Sequence, residues 1–201
     1  TVTVSVGNGT YTAGIDSVGP WTGGGEVFFT GNTATPASCI INSTGLPCFR
    51  LQGSLPGRFV IQGFKMTATA AQPLIYNVAT GAVWFGSVEC STTTGYQIAG
   101  AVPGATVLGF GSMTTSSGCS GVFYAAAGAL VSVNGMTITL TGTPAYTGAF
   151  AFATRLGFLS AEAMTFSGSA TGARFYVDLN SVIYTGTGGS ATYFTGDVAG
   201  T

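Results

Sequence analysis

Six carboxylates carry all the acid chemistry open to this chain: Asp16, Glu26, Glu89, Glu162, Asp178 and Asp197. Glycoside hydrolysis uses two carboxyl groups about 5 to 9.5 Å apart. Residues one turn apart in a stacked β-structure lie about 4.8 Å from each other. Glu162 and Asp178 are 16 residues apart, which is no whole turn, and Glu89 and Glu162 are 73 apart, three turns or about 14 Å by that rise. Glu89, Glu162 and Asp178 remain the catalytic candidates, with a pair formed between neighbouring chains left open. Pectate-type lyase chemistry asks for clustered acids around calcium and a basic proton acceptor, which six dispersed acids do not supply. The chain has no His, so Ser-His-Asp and Cys-His nucleophilic schemes are excluded. Catalysis is the less favoured class, and neither a metal nor a cofactor is expected.

Binding chemistry has more candidates. Arg174 and Asp178 are four apart in strand-like sequence, hence on one face, where they could contact sugar hydroxyls or simply pair on the surface. Trp21 sits in the longest glycine-rich excursion, Asp16 to Gly25, where it either stacks on a sugar or folds down over the end of a turn. Tyr76, Tyr96, Tyr124, Tyr146, Tyr176 and Tyr193 recur at an average spacing near one turn. The ligand-binding candidates are therefore Trp21, Tyr96, Tyr124, Arg174 and Asp178. A threonine ladder, with Thr67 and Thr69, Thr92 to Thr94, Thr114 and Thr115, and Thr137 and Thr139, raises ice binding as a rival class. Irregular turn lengths weigh against it, because matching a lattice needs one flat face in strict register.

The elements that must position these residues are set by a repeat. Short apolar segments begin at Gly57, Gly81, Gly104, Gly128, Arg155 and Ser181, with successive intervals of 24, 23, 24, 27 and 26 residues. A fixed period of this length marks a solenoid. Helical periodicity is absent, and β-branched and aromatic residues alternate with small polar ones over stretches such as 59–64 and 136–140. The expected fold is all-β, a right-handed single-stranded parallel β-helix with coils of about 23 to 27 residues. Residues 1–55 are expected to form wider coils with loops, and residues 56–201 the regular coils. Turns are expected at Ser117-Gly118, at 141–144 and at 186–189.

Composition narrows the partners. The chain has 201 residues, 46% hydrophobic and only 5% charged, with 33 Gly and a net charge of -1. Without clustered Lys and Arg there is no footprint for nucleic acid. No run of 18 apolar residues exists to insert as a membrane helix. Cys39, Cys48, Cys90 and Cys119 lack zinc-ligand spacing. Cys39 and Cys48 could close a short loop, but small buried apolar roles fit all four better. Neither end shows a capping element, which implies a longer polypeptide or neighbouring chains over both ends.

Two stretches resemble a known group. The opening Val-Thr-Val-Ser-Val-Gly-Asn-Gly-Thr-Tyr-Thr-Ala-Gly is similar to the start of pectate-lyase-like parallel β-helices. Residues 165–176, 180–184 and 188–194 resemble the C-terminal part of bacteriophage and prophage tail fibre or tailspike proteins. The resemblance implies a virion appendage on the surface of a phage particle, a homotrimer contacting other tail proteins and attaching to host cell-surface polysaccharide. No catalytic motif of that group is present to carry over. A polysaccharide depolymerase on the same fold and a purely structural fibre segment are the alternatives.

Overall fold

In a computed structural model, residues 1–19, 21, 24–55, 57–186 and 190–201 are described. The expected glycine turn at 186–189 and the Trp21 excursion fall partly on Thr187, Gly188 and Gly189, and on Pro20, Thr22 and Gly23, which lie outside the described residues. The chain forms a parallel β-solenoid of about seven turns, 56% strand and 2% helix. Each turn contributes one rung to each of three faces.

Face 1 stacks Val2–Ser5, Glu26–Thr30, Arg58–Gln62, 81–86, 105–110, Leu130–Ser132, Phe158–Ser160 and Val182–Tyr184. Face 2 stacks Gly9–Tyr11, Cys39–Ser43, Lys65–Ala68, 88–90, 112–115, Thr137–Leu140 and Thr165–Ser167. Face 3 stacks Ile15–Val18, Phe49–Ser54, 75–80, Tyr96–Gly100, Gly121–Ala126, Ala145–Thr154 and Thr171–Val177. Two strands, Ile75–Cys90 and Ala105–Thr115, run round corners from one face to the next.

Alternation of side chains across each strand decides what the stacking buries. On face 1, Val27, Phe59, Val83, Val107, Val131, Leu159 and Ile183 form one inward column, 32, 24, 24, 24, 28 and 24 residues apart. The six segments anticipated from the sequence are rungs of this face. On face 3 the inward column is Ile15, Phe49, Ile75, Ile98, Phe123, Ala151 and Phe175. From Phe49 to Ala151 this column has no solvent exposure. All four cysteines are free and buried within this interior.

The glycines that open the repeats serve the corner between faces 3 and 1. Four successive corners close by an N–H to C=O bond across two residues: Ala105 to Val102, Ala129 to Ala126, Gly157 to Thr154 and Ser181 to Asp178. In each of these corners at least one residue between the bonded pair is left-handed. Gly104 (φ 79°), Gly128 (φ 75°) and their successors Leu156 (φ 65°) and Asn180 (φ 58°) occupy the second position. Glycine adopts this conformation at no steric cost, so the period is visible as a recurring Gly before an apolar run.

Candidate ligand-binding site

The outward column of face 3 is the most chemically distinctive surface of the solenoid. It reads Asp16, Arg50, Tyr76, Ala99, Tyr124, Phe152 and Tyr176, one residue per rung. Aromatic side chains thus occupy four of the last five rungs, and the interruption is Ala99. At that rung the strand twists so that Tyr96 also faces outward. Its ring lies on Tyr124, with centroids 4.1 Å apart and planes within 19°, while the edge of Phe152 closes the other side at 5.3 Å. Gly121 and Gly148 make room for Phe152, because a Cβ at either would meet its ring within 3.0 Å.

A slot of about 260 Å³ remains between Tyr76 and the Tyr96–Tyr124 pair, floored by Ala99 and walled by Gln72 and Pro73. Among the described residues, the hydroxyls of Tyr76, Tyr96 and Tyr124 and the side-chain amide of Gln72 have no hydrogen-bond partner. Burial raises the pKa of Tyr96 and Tyr124, so both phenols stay protonated in neutral solution and can donate. No charged side chain lines the slot, and no charged residue occurs from Cys90 to Thr154. An open, uncharged slot with aromatic walls and free hydroxyl and amide groups suits a flat, neutral, polyhydroxylated ring.

A larger cavity of about 580 Å³ lies at the mouth of the first coil, lined by Val4, Val6, Ile15, Phe29, Ile41 and Phe64. It is the largely apolar interior of the solenoid seen end-on, with Thr10, Tyr11 and Thr12 as its polar members and the Tyr11 hydroxyl already donated to the Gly7 carbonyl at 2.9 Å.

The ligand-binding candidates separate. Tyr96 and Tyr124 meet in the slot. Trp21 lies three rungs away, its indole N–H on Ser17 Oγ at 3.1 Å and its ring edge-on to Phe59 at 6.3 Å. Arg174 and Asp178 do not pair: Tyr176 stands between them in sequence and donates its hydroxyl to Asp178 Oδ2 at 2.9 Å. The regular tyrosine column is also only partly formed. Tyr76, Tyr124 and Tyr176 share it, Tyr146 is buried against Phe150, and Tyr193 bonds the Ala161 carbonyl and the Met164 N–H.

The catalytic candidates are not brought together. Glu89 is on face 2, bound to Lys65 Nζ at 2.7 Å and Ser116 Oγ at 3.3 Å. Glu162 follows the face 1 rung that ends at Ser160, and Asp178 begins a corner between faces 3 and 1. Among the described residues no cluster of three metal-ligating side chains exists. Gln72, Pro73 and Ala99 escaped the sequence reading. The available signal was a small residue breaking the spacing of 23, 25, 28 and 24 that links Tyr76, Ala99, Tyr124, Phe152 and Tyr176. No family model, curated protein or solved structure matches the chain.

Proposed function

We propose that this chain is a glycan-binding segment of a β-helical surface appendage, such as a phage tail fibre or tailspike, that attaches to polysaccharide on a host cell. The Ala99 slot supports this reading. A pyranose entering it would set its C–H faces against tyrosine rings and its hydroxyls against three phenols and the Gln72 amide. Because the slot is open at the surface, the rest of a polymer can continue along face 3 over Phe152 and Tyr176. The separation of Glu89, Glu162 and Asp178 favours binding over hydrolysis within one chain.

A glycan array followed by calorimetric titration of the strongest ligand tests the proposal. Binding is expected for a neutral glycan, and Tyr96→Ala should weaken it at least about tenfold, the loss of one aromatic contact and one hydroxyl. Absence of binding to every glycan, or binding indifferent to Tyr96→Ala, would remove the assignment.

A further inference from the structure

We propose that the last three rungs of face 2 bind ice. This inference does not depend on the glycan-binding reading, whose slot lies on face 3. Alternation along each strand turns Met113, Ile138 and Phe166 inward against the core and their neighbours on either side outward. Those neighbours are Ser112 and Thr114, Thr137 and Thr139, and Thr165 and Ser167. Ser112, Thr137 and Thr165 stack as one column, and Thr114, Thr139 and Ser167 as a second, with no shift of register. Only part of the threonine ladder seen in the sequence contributes, because Thr115 turns inward to accept a bond from Gln97 Nε2 at 2.7 Å and Thr93 is buried. Register supplies the other members.

Three properties of this array point to ice rather than to loosely held water. The hydroxyls are free: among the described residues none of the six has a hydrogen-bond partner in the chain, whereas Ser116 beside them donates to Glu89 Oε1 at 3.3 Å. They form a net: rungs recur about every 4.8 Å and outward residues of one strand about every 6.6 Å. Hexagonal ice presents its oxygens on rectangular prism faces with one short and one long repeat close to these two, so waters bonded to neighbouring hydroxyls already stand at lattice separations. They are held in place: the threonines have few accessible χ1 states, and the strands are anchored by the buried Met113 and Ile138. A net ordered before contact loses little entropy on binding.

Charge and side-chain type select the occupant. No charged residue occurs from Cys90 to Thr154 or from Ala163 to Ala173, so all three rungs are neutral and no ion imposes its own hydration shell on the array. The array stops where charge begins, at the preceding rung, where Glu89 is the register partner of Thr114 and binds Lys65. Protein partners are held chiefly by aromatic and arginine anchors and sugars by aromatic walls, and the six outward side chains offer neither.

Thermal hysteresis of the full chain, the gap between the melting and freezing points of a seeded ice crystal, tests the proposal. The gap should open and grow with protein concentration, and the crystal should become faceted. Thr139→Tyr, on the middle rung, should abolish the gap, because the ring holds the ice face away from the neighbouring hydroxyls. Its thermal unfolding midpoint should not change, since the side chain is outward and tyrosine suits a strand. Ser167→Thr, which restricts χ1 at the edge of the array, should widen the gap. Coincident melting and freezing points for the unaltered chain would overturn the assignment. So would a gap that a folded Thr139→Tyr variant leaves unchanged.

Discussion

Tyr96 and Tyr124 are 28 residues apart and occupy neighbouring rungs, yet their rings stack at 4.1 Å. Tyr124 belongs to the outward column of face 3, whereas Tyr96 enters it sideways from the start of its rung. This lateral entry leaves the position above Ala99 unfilled and creates the slot. Tyr124→Ala should cost stability through lost stacking, about 0.5 to 1.5 kcal/mol beyond the area term, and should lower glycan affinity at least about tenfold. Tyr124→Phe should keep the stability and lose only the hydroxyl's share of affinity. Thermal unfolding and calorimetry on the two variants separate these effects.

Ala99→Phe would extend a ring into the slot and complete the aromatic column from Tyr76 to Tyr176. Glycan binding should then be abolished while the melting temperature stays within a few degrees, because the ring fills space between existing aromatic walls. A variant that binds glycan normally would locate the site elsewhere on the solenoid.

Three ion pairs lie on three different faces, and each joins register partners on adjoining rungs: Asp16 with Arg50 on face 3, Glu26 with Arg58 on face 1, and Lys65 with Glu89 on face 2. Surface pairs of this kind contribute little by themselves. Arg58 is different, because its guanidinium also lies 4.5 Å from the centre of the Trp84 ring and 5.8 Å from that of Phe28. Arg58→Ala should destabilise the chain by about 1 to 2 kcal/mol, through stacking and packing more than charge. Arg58→Lys should recover only part, since an ammonium does not stack as a planar guanidinium does. Urea unfolding measures both, and an equal recovery by lysine would rule out the stacking contribution.

Face 1 could be read from the sequence because two independent signals coincide there. A positive-φ corner selects Gly81, Gly104 and Gly128, close approach of the Gly24 carbonyl selects Gly57, and the following inward column selects Phe59, Val83, Val107 and Val131. Faces 2 and 3 lack such a marker, so their rungs emerge only from register. Turn length proved a poor guide to flatness. The 28-residue turn shifts all three faces together, so Thr137 still sits beside Thr165 and Thr139 beside Ser167. Tyrosine spacing misled for a related reason. A residue's distance along the chain does not say whether it points in or out, so Tyr146 and Tyr193 counted towards a column they do not join. The slot itself is a missing side chain at Ala99, and a small residue in an aromatic column stands out only once the register has placed it there.

The buried thiols give the fold an alkaline limit. Burial pushes Cys48 and Cys119 from the ordinary value of 9.0 up to about 12. In the unfolded chain these thiols lose their protons near the ordinary value, whereas in the fold they keep them until about pH 12. The unfolded state therefore binds fewer protons across that window, and stability falls as pH rises. The slope is about 1.4 kcal/mol per pH unit for each thiol. Below the ordinary thiol value the contribution is complete and stability should not respond to these groups. Replacing both by Ala should lower stability at neutral pH through the cavities left, yet flatten its decline in alkali. Urea unfolding followed from about pH 8 to about pH 11 reads both effects, and a stability curve equally steep in the unaltered and alanine chains would show that other groups set the limit.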